Sequence, residues 1–163
     1  MLISRIAQKI IRESEGNLHD INHLLKVYGY ARTIGVAEGL PADTETILEA
    51  AALLHDIACP LCRVKYGNTD GTHQEQEGGP MARAFLQDSG LSSEAIDRVV
   101  WLVSHHHSPA AGEELDFRIL LEADYLVNAD ESSYPRAAIE SARDHLFRTN
   151  TGKALLSAIY LEH

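Results

Sequence analysis

The stretch Ala50-Ala51-Ala52-Leu53-Leu54 ends in His55-Asp56, and that junction constrains the fold more than any other part of the chain. An apolar run of this kind has to be buried, and the ionisable pair at its end is carried inward with it. An unpartnered carboxylate inside a protein is strongly destabilising unless it keeps its proton. The fold must therefore bring partners to Asp56 from other segments. Candidates stand on other helical stripes. His23 shares one with Val27, Tyr30, Ala31 and Ile34, and Asp124 shares one with Phe117, Leu120, Leu121 and Asn128. Ile47, Ala51, Leu54, His55 and Ala58 form the third. A lone core imidazole is common, but Asp is rarely buried without a partner. Taken together, metal ligation is the reading that accounts for all of these intruders.

The apolar spacing is helical almost throughout, which predicts an all-α fold. Residues 2–14 form the first helix. Asp20 is placed to cap a second that runs to about Glu38 and stops at Gly39-Leu40-Pro41. Asp43 caps the next, which reaches Ala58 and ends at Pro60. Residues 61–73, with Gly67, Asn68, Asp70 and Gly71, read as a loop. Helices follow over 74–88, 92–106 with Ser92 as cap, 115–129, 134–147 and 152–161. No strand-like alternation, repeat or low-complexity segment interrupts them.

At 163 residues, one well-buried core is expected and two would be crowded. A formal charge of -10 argues against a nucleic-acid polymer or an anionic membrane as partner, since phosphate backbones call for clustered Lys and Arg. A small phosphate ester needs only a local positive site. The N-terminal segment carries Arg5 and lacks the apolar stretch of a signal peptide, and no window reaches the length of a membrane span, so a cytoplasmic location is expected. Cys59 and Cys62 form a lone Cys-Pro-Leu-Cys with no preceding strand and no second Cys pair. Local packing is the expectation for both. His19-Asp20 is a second His-Asp pair, but it precedes an apolar helix, so His19 reads as a surface residue.

The ordered set His23, His55-Asp56 and Asp124 resembles the signature of the HD-domain metal-dependent phosphohydrolase superfamily, over about residues 18–130. That likeness implies a single compact helical HD domain over 1–163, with C-terminal helices 134–161 packed on its core. It also implies that His23, His55, Asp56 and Asp124 ligate a divalent metal. Mixed imidazole and carboxylate donors suit Fe, Mn, Zn, Co or Ni. One or two ions per chain are expected. Superfamily members with two ions recruit further histidines and use the central aspartate as a bridge. Members with one ion use the same regions to hold phosphate or move protons. His73, His105 and His106 are the candidates here for a second metal or the substrate phosphate, with Asp56 and His106 as catalytic groups. His107 completes the triple His at that helix end.

The segment leading from the metal pair to His73 offers Lys65 or Arg63 for the substrate phosphate, with Lys65 the candidate and solvent exposure the expectation for Arg63. Glu122 should face away from Asp124 on its helix, and Glu77 stays open as a base. The 62–71 segment, the Gln-Glu-x-Glu-Gly stretch after it, the triple His and the 120–128 segment also resemble one small bacterial branch of the superfamily, a likeness that implies no particular substrate. His107 runs into Ser108-Pro109-Ala110 rather than Gly-Tyr-Pro, which argues against cyclic-di-GMP. The expected activity is hydrolysis of a small phosphate ester, with nucleotides among the candidates, by metal-activated water. The alternative is a metal- and nucleotide-binding module with little turnover. The apolar N-terminal helix is a candidate homodimer surface.

Overall fold

A computed structural model describes residues 1–163. Nine α-helices follow in order: α1 (Leu2–Glu13), α2 (Leu18–Ala37), α3 (Ala42–Leu54), α4 (Cys59–Tyr66), α5 (Gly71–Leu86), α6 (Ser93–His105), α7 (Leu115–Glu131), α8 (Arg136–His145) and α9 (Asn150–Tyr160). A 3-10 turn at Pro109–Ala111 joins α6 to α7. There are no strands, and no helix is long and apolar enough to cross a membrane.

Helix α3 is the axis of the bundle and packs against α1, α2, α6 and α7. Every residue from Leu48 to Leu54 is buried. Ala50, Ala51 and Ala52 have side chains small enough for neighbours to close on several sides at once. The price of centrality falls on Glu49, 4% exposed, which is paired with Arg32 of α2. Helix α7 is also buried along most of its length, Arg118 included. That guanidinium donates to Pro109 O at 2.8 Å and Leu146 O at 2.6 Å, tying the 3-10 turn and the end of α8 to α7.

Several boundaries differ from those read in the sequence. Of residues 61–73, only 67–70 form a loop; the rest belong to α4 and α5. Pro60 lies in the first turn of α4, where a missing N–H costs nothing, so it starts a helix instead of ending one. Gly67, at φ 71°, closes α4 in the left-handed conformation. Only a few residues separate it from α5, which begins at Gly71. Helix α3 stops at Leu54, leaving His55 and Asp56 in the turn that follows. Asn17, not Asp20, caps α2, accepting from the Asp20 amide at 3.2 Å. Asp43 sits in the first turn of α3 behind Pro41, with no side-chain cap. Ser92 does cap α6, accepting from Ala95 N at 3.1 Å.

Helices α5 and α6 form a tight pair because α5 presents Gly78 and Gly79 to it. A Cβ at Gly79 would stand 2.3 Å from Ser104 Oγ, and one at Gly78 would stand 2.9 Å from Val103 Cγ1. This close approach sets the height of the α6 C-terminus, from which the triple His projects.

Candidate metal centre

The turn after α3 carries His55 and Asp56 against the first half of α2, the C-terminal end of α6 and the second half of α7. His23 Nε2 lies 3.1 Å from His55 Nε2, 3.3 Å from Asp56 Oδ2 and 3.2 Å from Asp124 Oδ1. His55 Nε2 is 3.3 Å from Asp124 Oδ1 and 3.6 Å from Asp56 Oδ1. His106 Nε2 reaches Asp56 Oδ1 at 3.4 Å. The donors fall into two sets that share Asp56: His23, His55 and Asp56, and Asp56, His106 and His107.

The imidazoles are held from behind. His55 Nδ1 donates to Ala52 O at 2.8 Å, and His106 Nδ1 donates to Val103 O at 2.8 Å. In a neutral ring, that leaves the Nε2 lone pair facing the cluster. His23 Nδ1 meets Glu131 Oε2 at 2.7 Å, the carboxylate backing that fixes ring orientation and raises donor strength. Asn128 Nδ2 donates to Asp124 Oδ1 at 2.9 Å.

Burial alone would push the His55 imidazole down. The Asp56 charge and the Asp124 hydrogen bond outweigh it and lift its pKa to about 9. Burial raises Asp56 and Asp124, yet the surrounding imidazoles hold both well below the usual carboxylate range. His107, although exposed at one edge, is pushed down to about 4, first by desolvation of the ring against the cluster and then by His106. Such a cluster demands a positive charge at its centre. The donor set fits a divalent ion: His106 Nε2 is fully buried and, though 3.4 Å from Asp56 Oδ1, makes no hydrogen bond. A buried acceptor of this kind is destabilising unless a cation or proton meets it.

A polar cavity of about 210 Å³ opens beside these donors, and its lining includes Arg63, Gln74, His107, Asp124, Asn128 and Glu131. Arg63 is its one Arg or Lys, and forks onto Asp20 at 2.7 and 2.8 Å. Gln74 donates to Thr69 O at 2.7 Å and leaves Oε1 unpartnered. His19 is on the rim, 72% exposed and 3.8 Å from Glu131.

The structure brings His23, His55, Asp56, Asp124 and His106 together with His107 beside them, but not His73, His105 or Lys65. His73 stacks on Tyr66 with ring centroids 3.8 Å apart and bonds Asn68 Oδ1 at 2.9 Å. His105 stacks on Trp101 and donates to Trp101 O at 2.7 Å. Lys65 pairs with Glu77, which also accepts from Tyr66 at 2.6 Å. Cys59 and Cys62 are free, buried thiols in α4. Glu122 turns away from the cluster and accepts from Arg148 N and Thr149 N at the start of α9. Sequence spacing does not single out Glu131 or Gln74; Arg63, exposed as expected, also lines the cavity. Glu131 lies three residues beyond Asn128 on the face of α7 that carries Asp124. The same helical spacing would have found it had α7 been drawn past residue 129.

The HD domain family matches residues 20–151, a span that holds every converging donor. A crystal structure of a predicted HD superfamily hydrolase from an uncultured Thermotogales bacterium aligns at a TM-score of 0.67 and 24% identity. The alignment covers 97% of this chain and 83% of that one. No curated protein matches the chain. The structural likeness carries the fold, and the family match runs from α2 into α9: the chain belongs to the HD-domain family.

Proposed function

We propose that this chain is a metal-dependent phosphohydrolase of small phosphate esters, with two divalent ions that share Asp56. One observation carries the reading. Buried imidazoles, with their Nδ1 atoms already engaged, converge with Asp56 and Asp124, and one of them leaves an unpartnered Nε2. His23, His55, Asp56 and Asp124 would hold one ion, and Asp56, His106 and His107 the other. Divalent ions held there supply Lewis acidity to a phosphoryl oxygen and lower the pKa of water.

The remaining roles belong to the chain itself. Glu131 and the carbonyls of Ala52 and Val103 fix the rings, so no reorientation accompanies the reaction. Arg63 lines the cavity and is the side chain proposed to meet the phosphate, in place of Lys65. Asn128 orients Asp124. In the overall step, water oxygen bonds to phosphorus, the ester P–O bond breaks, and the alcohol departs with a proton that originates from the water.

The test is release of inorganic phosphate from a panel of phosphomonoesters, and of alcohol from a panel of phosphodiesters, with Mn²⁺, Fe²⁺, Co²⁺, Ni²⁺ or Zn²⁺ supplied. His55→Ala and Asp56→Ala should each abolish metal-dependent release. An unchanged rate in either folded variant would overturn the reading. Tight ligand binding with no release across the panel would instead mark a binding module.

A further inference from the structure

Asp56 faces a second space as well as the polar cavity. A groove of about 430 Å³ runs between α1, the start of α4 and the second half of α5. The two spaces meet at Asp20, Leu24 and Asp56, which line both. The groove walls are carbon: Ile10, Leu24, Ile57, Met81, Ala84 and Phe85.

Its polar groups are already engaged. Lys9 Nζ donates to Phe85 O at 2.8 Å, sits 4.1 Å above the Phe85 ring, and has Glu13 at 4.0 Å. Ser14 Oγ donates to Ile10 O at 2.8 Å. Asp20 holds the fork of Arg63. Little is left there to read sugar hydroxyls or a base edge, and a site built for such groups keeps unpaired partners for them. The polar cavity does keep one, Gln74 Oε1.

We infer that the substrate is bipartite: a phosphate head in the polar cavity, esterified to an apolar alcohol or phenol whose carbon skeleton lies in the α1–α5 groove. This rests on the phosphohydrolase reading and narrows it, setting aside nucleotides in favour of alkyl, aryl or isoprenoid-like monoesters. Hydrolysis forms a bond from water oxygen to phosphorus and breaks the ester P–O bond, so the apolar alcohol leaves along the groove carrying a proton.

Binding is measured by calorimetry with metal supplied, using methyl-, butyl- and hexylphosphonate and a non-hydrolysable adenosine 5′-phosphonate. The probes are run on wild type and on Ala84→Trp and Ala84→Glu. Position 84 is exposed on α5, so both variants should fold while filling or charging the groove. Affinity should rise about fourfold per methylene until the groove is full. Ala84→Trp and Ala84→Glu should erase that gain and shift methylphosphonate less than about twofold. Affinity independent of chain length, no binding of any phosphonate, or tighter binding of the adenosine probe than of hexylphosphonate would overturn the inference. Release of phosphate from hexyl phosphate is scored separately. Chain-length-dependent binding without release keeps the groove and removes the hydrolase, while release without chain-length dependence does the reverse.

Discussion

His23 and Arg63 show how neighbours assign a role to a side chain. Glu131 backs His23 at 2.7 Å, so Glu131→Gln should lower divalent-metal affinity about 10- to 100-fold with the helical content unchanged. Competition against a chelator reads this, and an unchanged affinity would show that the pair only packs. Arg63 lines the polar cavity, whereas Lys65 points to Glu77. Losing a charge-assisted contact with phosphate costs about 1.5–3 kcal/mol, so Arg63→Ala should raise KM by roughly 10- to 100-fold. Lys65→Ala should leave KM within about twofold, because exposed ion pairs contribute little. Equal effects of the two substitutions would refute the assignment. In the sequence, each of these cations follows the metal pair within one short segment. Both side chains stay about half exposed; the folding of that segment into α4 sets Arg63 at the cavity rim and Lys65 against Glu77.

At the scale of elements, the ends of α4, α5 and α7 decide what the site contains. Gly67 ends α4 at φ 71°, so Gly67→Ala should cost about 1–2 kcal/mol in denaturant unfolding. Gly79→Val should cost about 1–3 kcal/mol by overpacking against Ser104, and should weaken metal binding by displacing the end of α6. Retained stability in Gly79→Val would mean that the α5–α6 contact yields freely. Helical spacing made the long elements and their inward polar residues legible, because a stripe of apolar side chains is a local property. It placed His23, His55 and Asp124 on buried faces without the fold. Element ends were harder to read. Pro60 suits the first turn of a helix as well as the residue after one, and tertiary packing makes the choice. Glu131 lies beyond the end of α7 that the spacing predicts, and His73, a candidate through the family likeness alone, is held by Tyr66 and Asn68.

For the whole molecule, the clustered charge couples stability to pH and to metal. The pKa of His55 rises from 6.5 to about 9 in the fold. The stability it contributes is therefore complete below 6.5 and lost as pH climbs through about 9. Asp56 and Asp124 are shifted the other way, so their contribution is present above 3.8 and lost as pH falls below it. The metal-free protein should thus show a melting temperature that declines from pH 6.5 to 9, and a divalent ion should flatten the decline by replacing the proton. A decline that metal leaves untouched would contradict this coupling. The most direct test of the central claim is metal content per chain after reconstitution, by elemental analysis of wild type, His106→Ala and His73→Ala. The proposed centre predicts about two ions in wild type, about one in His106→Ala and about two in His73→Ala. No bound metal in the wild-type protein would contradict it.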